Sequence, residues 1–115
     1  MKKWFSRTVF LIYMVVVTPQ VAAEDKYLMD GNMLYDRLSN ASQAGKNHGL
    51  GYIAGIIDLA KFQKIEYLQC IPSGVRNDQM GDIVKNFIKD YPKYRHEIGV
   101  ISVVMALETA FPCKQ

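Results

Sequence analysis

Apolar positions recur at helical spacing in four stretches of the chain, and the third stretch shows the pattern most clearly. Its apolar residues Met80, Ile83, Val84, Phe87, Ile88 and Tyr91 fall on one side of a helix, and its polar residues Asp82, Lys85, Asn86 and Lys89 fall on the other. A charged face of this kind is most simply a solvated surface. Because the residue before a proline is biased away from the helical region, Tyr91-Pro92 ends the helix. The pattern predicts an amphipathic helix that begins near Asp78.

Two earlier stretches predict two further helices with a polar connection between them. Asp30 or Asn32 can cap a short helix that ends at about Leu38, since both side chains accept hydrogen bonds from the free N–H groups of a helix start. The segment SNASQAGKNHG that follows is small and polar, which is typical of a connection. A second helix is predicted from about His48 to Phe62.

This second helix has one wide apolar side and one side with almost no bulk. The apolar side carries Leu50, Ile53, Ile56, Ile57, Leu59 and Ala60, and the other side carries Gly51, Ala54, Gly55 and Asp58. Because each glycine weakens an exposed helix by about 1 kcal/mol, two glycines four residues apart suggest that another backbone approaches this side. Asp58 is placed to accept hydrogen bonds from a neighbouring helix start or loop.

The last stretch, from about His96 to Ala110, is apolar on nearly every side. Only a strip near Ser102 and Thr109, with Glu108 beside it, is polar. A helix of this kind is either central in its own fold or shared with a second subunit, so the pattern favours a homodimer. No stretch shows the alternation typical of a strand. The predicted fold class is all-α, a compact bundle of about four helices.

The first 23 residues have the three parts of a secretory signal peptide. A basic start, MKKWFSR, precedes a nine-residue apolar run from Val9 to Val17, and Thr18 to Ala23 ends in small side chains. The alternative, a membrane anchor, needs roughly 20 apolar residues to span the hydrocarbon core. We therefore expect cleavage after Ala23, export, no stable membrane insertion afterwards, and a single mature domain of residues 24–115.

Export changes how the two cysteines are interpreted. In an oxidising compartment, Cys70 and Cys113 have one possible connectivity, so they are expected to form a disulfide. In the chain-entropy model, closing a loop of about 44 residues stabilises the fold by roughly 4 kcal/mol. The alternative is a reactive thiol or a metal site, but one cysteine pair without suitably spaced histidines makes poor zinc spacing.

Charge and motif searches disfavour several classes of function. Loss of Lys2, Lys3 and Arg7 with the signal peptide reduces 14 basic residues to 11, against 11 acidic residues. A neutral domain lacks the basic surface that a nucleic-acid binder needs. The two histidines, His48 and His96, lie in or beside predicted connections, and the glycines of GLGYIAG follow no strand that would make them a nucleotide loop. The sequence predicts no catalytic site, no metal and no cofactor.

Four fragments stand in an order found in one protein family. They are GYIAGIID on the second helix, CIPSGVRNDQM before the third, KNFIKDYP at its end, and ALETAFPCK near the C-terminus. The most specific parts are Gly-Tyr-Ile-x-Gly at 51–55, Cys-x-Pro at 70–72 and Ala-Phe-Pro-Cys at 110–113. From roughly Asp30 to Lys114, the chain resembles the Tai-like or resistance-associated immunity proteins, which protect bacteria against amidase effectors of the type VI secretion system.

The resemblance implies a compact helical periplasmic protein, often dimeric, that binds a peptidoglycan-cleaving amidase and occludes its active-site groove. It implies no enzymatic activity. Its motif and close-packing residues are Gly51, Tyr52, Gly55 and Asp58. Many relatives carry a second cysteine pair that joins the first helix to the start of the Gly-Tyr-Ile helix, whereas Leu38 and Gly49 lie in the corresponding region here.

Two connections have the composition to contact a partner enzyme. The first is Ser73–Asp78, braced by the neighbouring cysteine and proline, and the second is Lys93–Glu97. The residues we expect to contact the partner are Arg76, Asn77, Tyr94 and Arg95. Both connections can also be ordinary solvated loops, with the polar face of the third helix as the next candidate. The alternative function is a small periplasmic chaperone that holds clients on exposed apolar surface, and an envelope enzyme is least favoured because it lacks a site.

Overall fold

The computed structural model describes residues 27–114, which fold into four helices and two short 3-10 turns. The helices are α1 (Gly31–Leu38), α2 (Gln43–Phe62), α3 (Asn77–Asp90) and α4 (Gly99–Ala110), and the 3-10 turns are Glu66–Leu68 and Pro92–His96. Within residues 27–114 there is no β-strand, and a single antiparallel β-bridge joins Asp30 to Ile98. The predicted all-α bundle is confirmed. The predicted signal peptide lies outside the described residues.

Helix α1 begins where the sequence predicts because Asp30 caps it. The Asp30 carboxylate accepts a hydrogen bond of 2.8 Å from the backbone N–H of Met33. Leu34 and Leu38 are buried as expected, whereas Met33 is exposed. The helix therefore presents a narrower apolar side to the core than the pattern indicated.

Helix α2 begins at Gln43, so the prediction of a connection up to His48 was wrong. Ser42 caps the helix start, since its hydroxyl accepts a hydrogen bond of 3.1 Å from the backbone N–H of Gly45. Gln43 and Asn47 add a side-chain hydrogen bond of 2.9 Å one turn apart. The polar, glycine-rich composition of this segment is typical of a connection, although the segment forms the first part of a capped helix.

The first part of α2 is stabilised by packing against the end of α1 through two buried glycines. Gly45 and Gly49 are buried against the end of α1, and a Cβ at Gly49 would lie 2.9 Å from the Cδ2 atom of Leu38. Helices α1 and α2 therefore pack closely here. The helix propensities of single residues do not predict this contact. Leu38 and Gly49 also lie side by side in the region where the family resemblance implies a second cysteine pair in many relatives.

Helix α3 confirms the clearest sequence pattern to within one residue at its start. Arg76 is the N-cap residue, and its backbone N–H donates a hydrogen bond of 2.9 Å to the side chain of Gln79. Met80, Val84 and Ile88 are buried in the core, as the apolar stripe predicts. The side chain of Tyr91, at the end of that stripe, is exposed.

Helix α4 begins at Gly99 rather than at the predicted His96. The cause is the antiparallel pair with the segment before α1. The backbone N–H of Gly31 donates to the Glu97 carbonyl at 2.9 Å, and the N–H of Gly99 donates to the Met29 carbonyl at 2.8 Å. These bonds hold the backbone between His96 and Gly99 extended, which separates α4 from the preceding 3-10 turn.

The core lies between all four helices, and α2 contributes Ile53, Ile57 and Ala60 to it. Leu34, Val84, Ile88, Val103 and Leu107 have no exposed surface. Ser102 is also fully buried, so the prediction of a wet strip on α4 was wrong at this position. A serine fits there because it is small enough for neighbouring helices to pack against it, and the exposed positions of α4 include Ile101 and Met105 instead.

The predicted disulfide is confirmed. Cys70 and Cys113 are bonded with their Cα atoms 5.2 Å apart, within the usual range for a disulfide. The bond joins the segment before α3 to the residues that follow α4, and the Cys113 sulfur lies 3.4 Å from the Glu66 carbonyl oxygen. It therefore fixes the chain end beside the first 3-10 turn.

Candidate functional site

Catalysis and metal binding need reactive side chains that lie close together. Within residues 27–114, no three His, Cys, Asp or Glu side chains lie close enough together to hold a metal ion. His48 and His96 are both exposed. The pKa is shifted at Tyr52, which packs on α4, and at Arg76 and Asp78, which pair with each other at the start of α3. The remaining candidates are surfaces.

Arg76 and Asn77 are exposed at the N-terminal end of α3, as predicted for partner contacts. Arg76 forms a bidentate ion pair with Asp78. Its Nε atom donates to Oδ1 at 3.0 Å, and its Nη2 atom donates to Oδ2 at 3.2 Å. The hydrogen bond from Arg76 lowers the pKa of Asp78, and the same bond raises the pKa of the guanidinium. The positive charge of Arg76 is therefore largely offset by its own neighbour.

A notch of about 220 Å³ opens beside this end of α3. Its lining combines apolar and charged residues, namely Leu38, Lys46, Leu50, Asp78, Gly81, Asp82 and Lys85. Gly81 lets α3 approach α2 here, because a Cβ would lie 2.5 Å from Leu50 Cδ2. The sequence pattern predicted that Asp82 and Lys85 share one polar face. It could not predict that Leu38 and Leu50, from other helices, line the bottom of the notch.

Tyr94 and Arg95 lie in the second 3-10 turn and are half-buried. The Tyr94 ring packs against Phe87 with centroids 5.3 Å apart. The Arg95 guanidinium lies 4.7 Å above the ring of Tyr35 in α1, and its Nε atom is buried without a partner among the described residues. These two side chains help to hold the turn against the bundle, and the partner contact predicted for them stays a prediction.

The two predicted contact segments lie at opposite ends of α3. A 14-residue helix separates Arg76 and Asn77 from the turn that holds Tyr94 and Arg95. At 1.5 Å per residue, this separation is about 20 Å. The four residues therefore form two separate patches.

The residues of the Gly-Tyr-Ile-x-Gly motif differ in their surroundings: Gly51 and Gly55 are exposed, whereas the ring of Tyr52 is packed. A Cβ at Gly51 or Gly55 would meet no atom within 4 Å, so the predicted close backbone approach is not made inside the described chain. Tyr52 instead packs against the start of α4, where a Cβ at Gly99 would lie 3.1 Å from its hydroxyl. Burial raises the pKa of the Tyr52 phenol, and a hydrogen bond with the Val100 backbone acts in the opposite direction.

An apolar groove of about 170 Å³ lies between α2, α4 and the first 3-10 turn. It is lined by Ile56, Leu59, Ala60, Ile65, Tyr67, Leu68, Val100 and Val104. Leu59 is 54% exposed, and Ile101 and Met105 on α4 are 37% and 36% exposed beside the groove. Gly51, Gly55 and Leu59 share one stripe of α2, so the exposed glycines continue this surface along the helix. Asp58, which was predicted to cap a neighbouring element, is exposed instead.

Comparison with known proteins identifies the family. Among the described helices, none is long and apolar enough to cross a membrane. No curated protein and no solved structure gives a significant match. The family model for Rap1a immunity proteins matches residues 30–113, which include all four helices and both cysteines. The chain therefore belongs to the Rap1a immunity protein family.

Proposed function

We propose that this protein is an exported immunity protein that binds an amidase effector of the type VI secretion system and occludes its active-site groove. The observation that carries the proposal is the family match over residues 30–113. The amidase target and the Tai-like relationship come from the order of the motifs, in particular Gly-Tyr-Ile-x-Gly and Ala-Phe-Pro-Cys. Inhibition of this kind needs a stable, complementary surface and no chemistry of its own.

The proposed compartment is the periplasm. The disulfide between Cys70 and Cys113 supports it, because disulfides persist mainly in oxidising compartments. The basic and apolar segments of residues 1–23 support export by a signal peptide that is cleaved after Ala23. The immunity protein would then be present where a peptidoglycan-cleaving effector acts.

We assign two exposed patches to the effector contact. Arg76 and Asn77 form the patch at the start of α3, beside the charged notch, and Tyr94 and Arg95 contribute to the patch at its other end. A protein interface of standard size buries about 800 Å² on each partner, which is wide enough to include both ends of a helix of about 20 Å. One effector molecule can therefore contact both patches along α3.

We assign the exposed glycines and the apolar groove to a homodimer. Gly51 and Gly55 offer a flat stripe that a second helix can approach, and Leu59, Ile101 and Met105 supply exposed apolar area beside it. A surface of this composition is costly to leave in water. Self-association through α2 and α4 leaves α3 free for the effector.

The second candidate function is a periplasmic chaperone, and the same groove is the observation that favours it. Leu59, Phe62 and Tyr67 are exposed together around an apolar depression, as a surface that holds unfolded clients would be. A chaperone would suppress aggregation of unrelated proteins, whereas an immunity protein would protect only against its own effector. The two functions therefore predict different results in one pair of assays.

The test is protection of cells. A candidate amidase effector of the type VI secretion system is directed to the periplasm with and without this protein, and lysis is followed by optical density. We expect the full-length protein to prevent lysis, and a version that starts at Glu24 and stays in the cytoplasm to give no protection. Lysis that continues in the presence of exported, folded protein would contradict the proposed function. Suppressed aggregation of unrelated proteins would support the chaperone.

A further inference from the structure

A cluster of aromatic rings with a free positive charge lies where α3 ends and the second 3-10 turn begins. We name Phe87, Tyr91, Lys93 and Tyr94 the aromatic corner. We propose that the aromatic corner is the main contact with the effector, and that it docks onto an acidic surface of that protein with a slot for the Tyr91 ring. This inference rests on the proposed function and identifies the chemistry that its partner surface must have.

The three rings support one another in a fixed arrangement. Phe87 lies 4.8 Å from Tyr91 and 5.3 Å from Tyr94 between ring centroids, and the two tyrosine rings lie 6.4 Å apart, edge to face. Such aromatic pairs add about 0.5–1.5 kcal/mol beyond the area they bury. Tyr91 is nevertheless 49% exposed, so one ring of a rigid cluster faces solvent.

The backbone beneath the rings is also fixed before any partner arrives. The N–H of Tyr94 donates to the Tyr91 carbonyl at 3.1 Å, and the N–H of Glu97 donates to the Tyr94 carbonyl at 3.2 Å. Gly31 packs against the Tyr94 carbonyl and the Arg95 backbone, which leaves no space for a side chain between α1 and the turn. A contact surface that is already ordered loses little conformational entropy on binding.

One positive charge at the aromatic corner has no ion-pair partner in the described chain. The Nζ atom of Lys93 lies 5.1 Å from the centroid of the Tyr94 ring. Within residues 27–114, Lys93 forms no ion pair, whereas Arg76 at the start of α3 is paired with Asp78. The two ends of α3 therefore differ in the charge that they offer a partner.

These features identify the kind of surface that fits. Tyrosine rings that are held rigid and partly exposed are typical binding hot spots. The unpaired Lys93 beside them favours carboxylates on the partner, which accelerate association and fix its orientation. The patch at Arg76 offers a charge that is already satisfied, so we expect it to contribute less binding free energy than the aromatic corner.

The experiment measures binding of purified variants to the purified amidase effector against which the parent protects cells. Tyr91→Ala and Lys93→Glu are compared with Tyr27→Ala and Lys61→Glu, which change a similarly exposed tyrosine and a lysine on α2. We expect each corner variant to weaken affinity by about tenfold or more and each control by less than about twofold. The defect of Lys93→Glu should shrink at about 1 M salt, where the screening length is about 3 Å. A parent-like helical circular dichroism spectrum and a cooperative thermal transition well above the assay temperature establish that the variants fold.

The outcomes separate this inference from the proposed function. If the parent binds the effector and both corner variants bind equally well, the contact lies elsewhere and only the inference fails. If the parent itself does not bind, the proposed function fails as well. A Tyr91→Ala defect with no effect of Lys93→Glu at any salt concentration would overturn the acidic partner surface.

Discussion

Gly31 is the most constrained glycine in the described chain. It is buried at the start of α1, and a Cβ there would meet the backbone of Tyr94 and Arg95 rather than a movable side chain. We expect Gly31→Ala to lower the free energy of unfolding by about 1–3 kcal/mol, because the added methyl group forces two backbones apart. Denaturant titration measures the change.

Gly55 provides the matched control, since a Cβ there meets nothing within 4 Å. Gly55→Ala should raise the free energy of unfolding of the monomer by up to about 1 kcal/mol through helix propensity alone. A Gly31→Ala variant as stable as the parent would show that the packing around Gly31 is looser than the structure indicates, and destabilisation by Gly55→Ala would show that another segment contacts Gly55.

The glycines also show what a sequence can and cannot reveal at this scale. Gly51 and Gly55 attracted attention because they interrupt an apolar helix, yet they face open space in the described chain. Gly31 and Gly99, which do lie against other segments, belong to no visible pattern. The cause is physical: a close approach depends on which distant element passes by, and a helix pattern contains only its own residues.

At the scale of elements, amphipathic periodicity determined how well each helix was predicted. The α3 stripe is sharp, so the prediction located its start within one residue. The beginning of α2 was missed because its small polar residues become helical through a serine cap and close packing on α1. In α4, apolar residues surround the helix, and only its neighbours decide that Ser102 is buried and Met105 exposed.

The disulfide supports the connection between α2 and α3 together with the chain end. Replacement of both cysteines by serine should lower the free energy of unfolding by about 4 kcal/mol in the chain-entropy model, given a sequence separation of 43 residues. Guanidinium titration of the oxidised parent and the double variant measures the difference. A loss below about 1 kcal/mol would mean that the unfolded chain is already restricted without the bond.

The two ends of α3 should respond differently to truncation of their side chains. Tyr94→Ala with Arg95→Ala should lower the melting temperature by several degrees, because a stacked ring and a guanidinium over Tyr35 are lost. Arg76→Ala with Asn77→Ala should change it little, since both side chains are exposed. Thermal unfolding monitored by circular dichroism compares the pairs. Equal melting temperatures would mean that the second 3-10 turn is held by its backbone alone.

At the scale of the whole molecule, the exposed stripe of α2 predicts the oligomeric state. The parent should be a dimer at tens of micromolar, and Gly55→Leu should convert it to a folded monomer, because the new side chain obstructs a partner without touching its own subunit. Asn86→Leu, on the exposed face of α3, is the control and should leave the dimer intact. Light scattering gives the masses, and a parent that is monomeric at this concentration would remove the dimer.

The whole-molecule function was accessible from the sequence only through the family motifs. The fragments GYIAGIID and ALETAFPCK led to an immunity family, which the match over residues 30–113 confirms. The contact residues were harder to predict. Tyr91 was interpreted as the end of a core stripe, because periodicity shows on which side of a helix a ring lies and not whether another element covers it.

The antiparallel pair between Asp30 and Ile98 also sets the order in which the protein can mature. Ribosomes make Asp30 early and Ile98 close to the end of the chain, so the segment before α1 remains without its partner during most of synthesis. The disulfide imposes the same delay at Cys70, whose partner is Cys113. A chain that stops before Ile98 can therefore complete neither of these two contacts, so each needs the segment that follows α3.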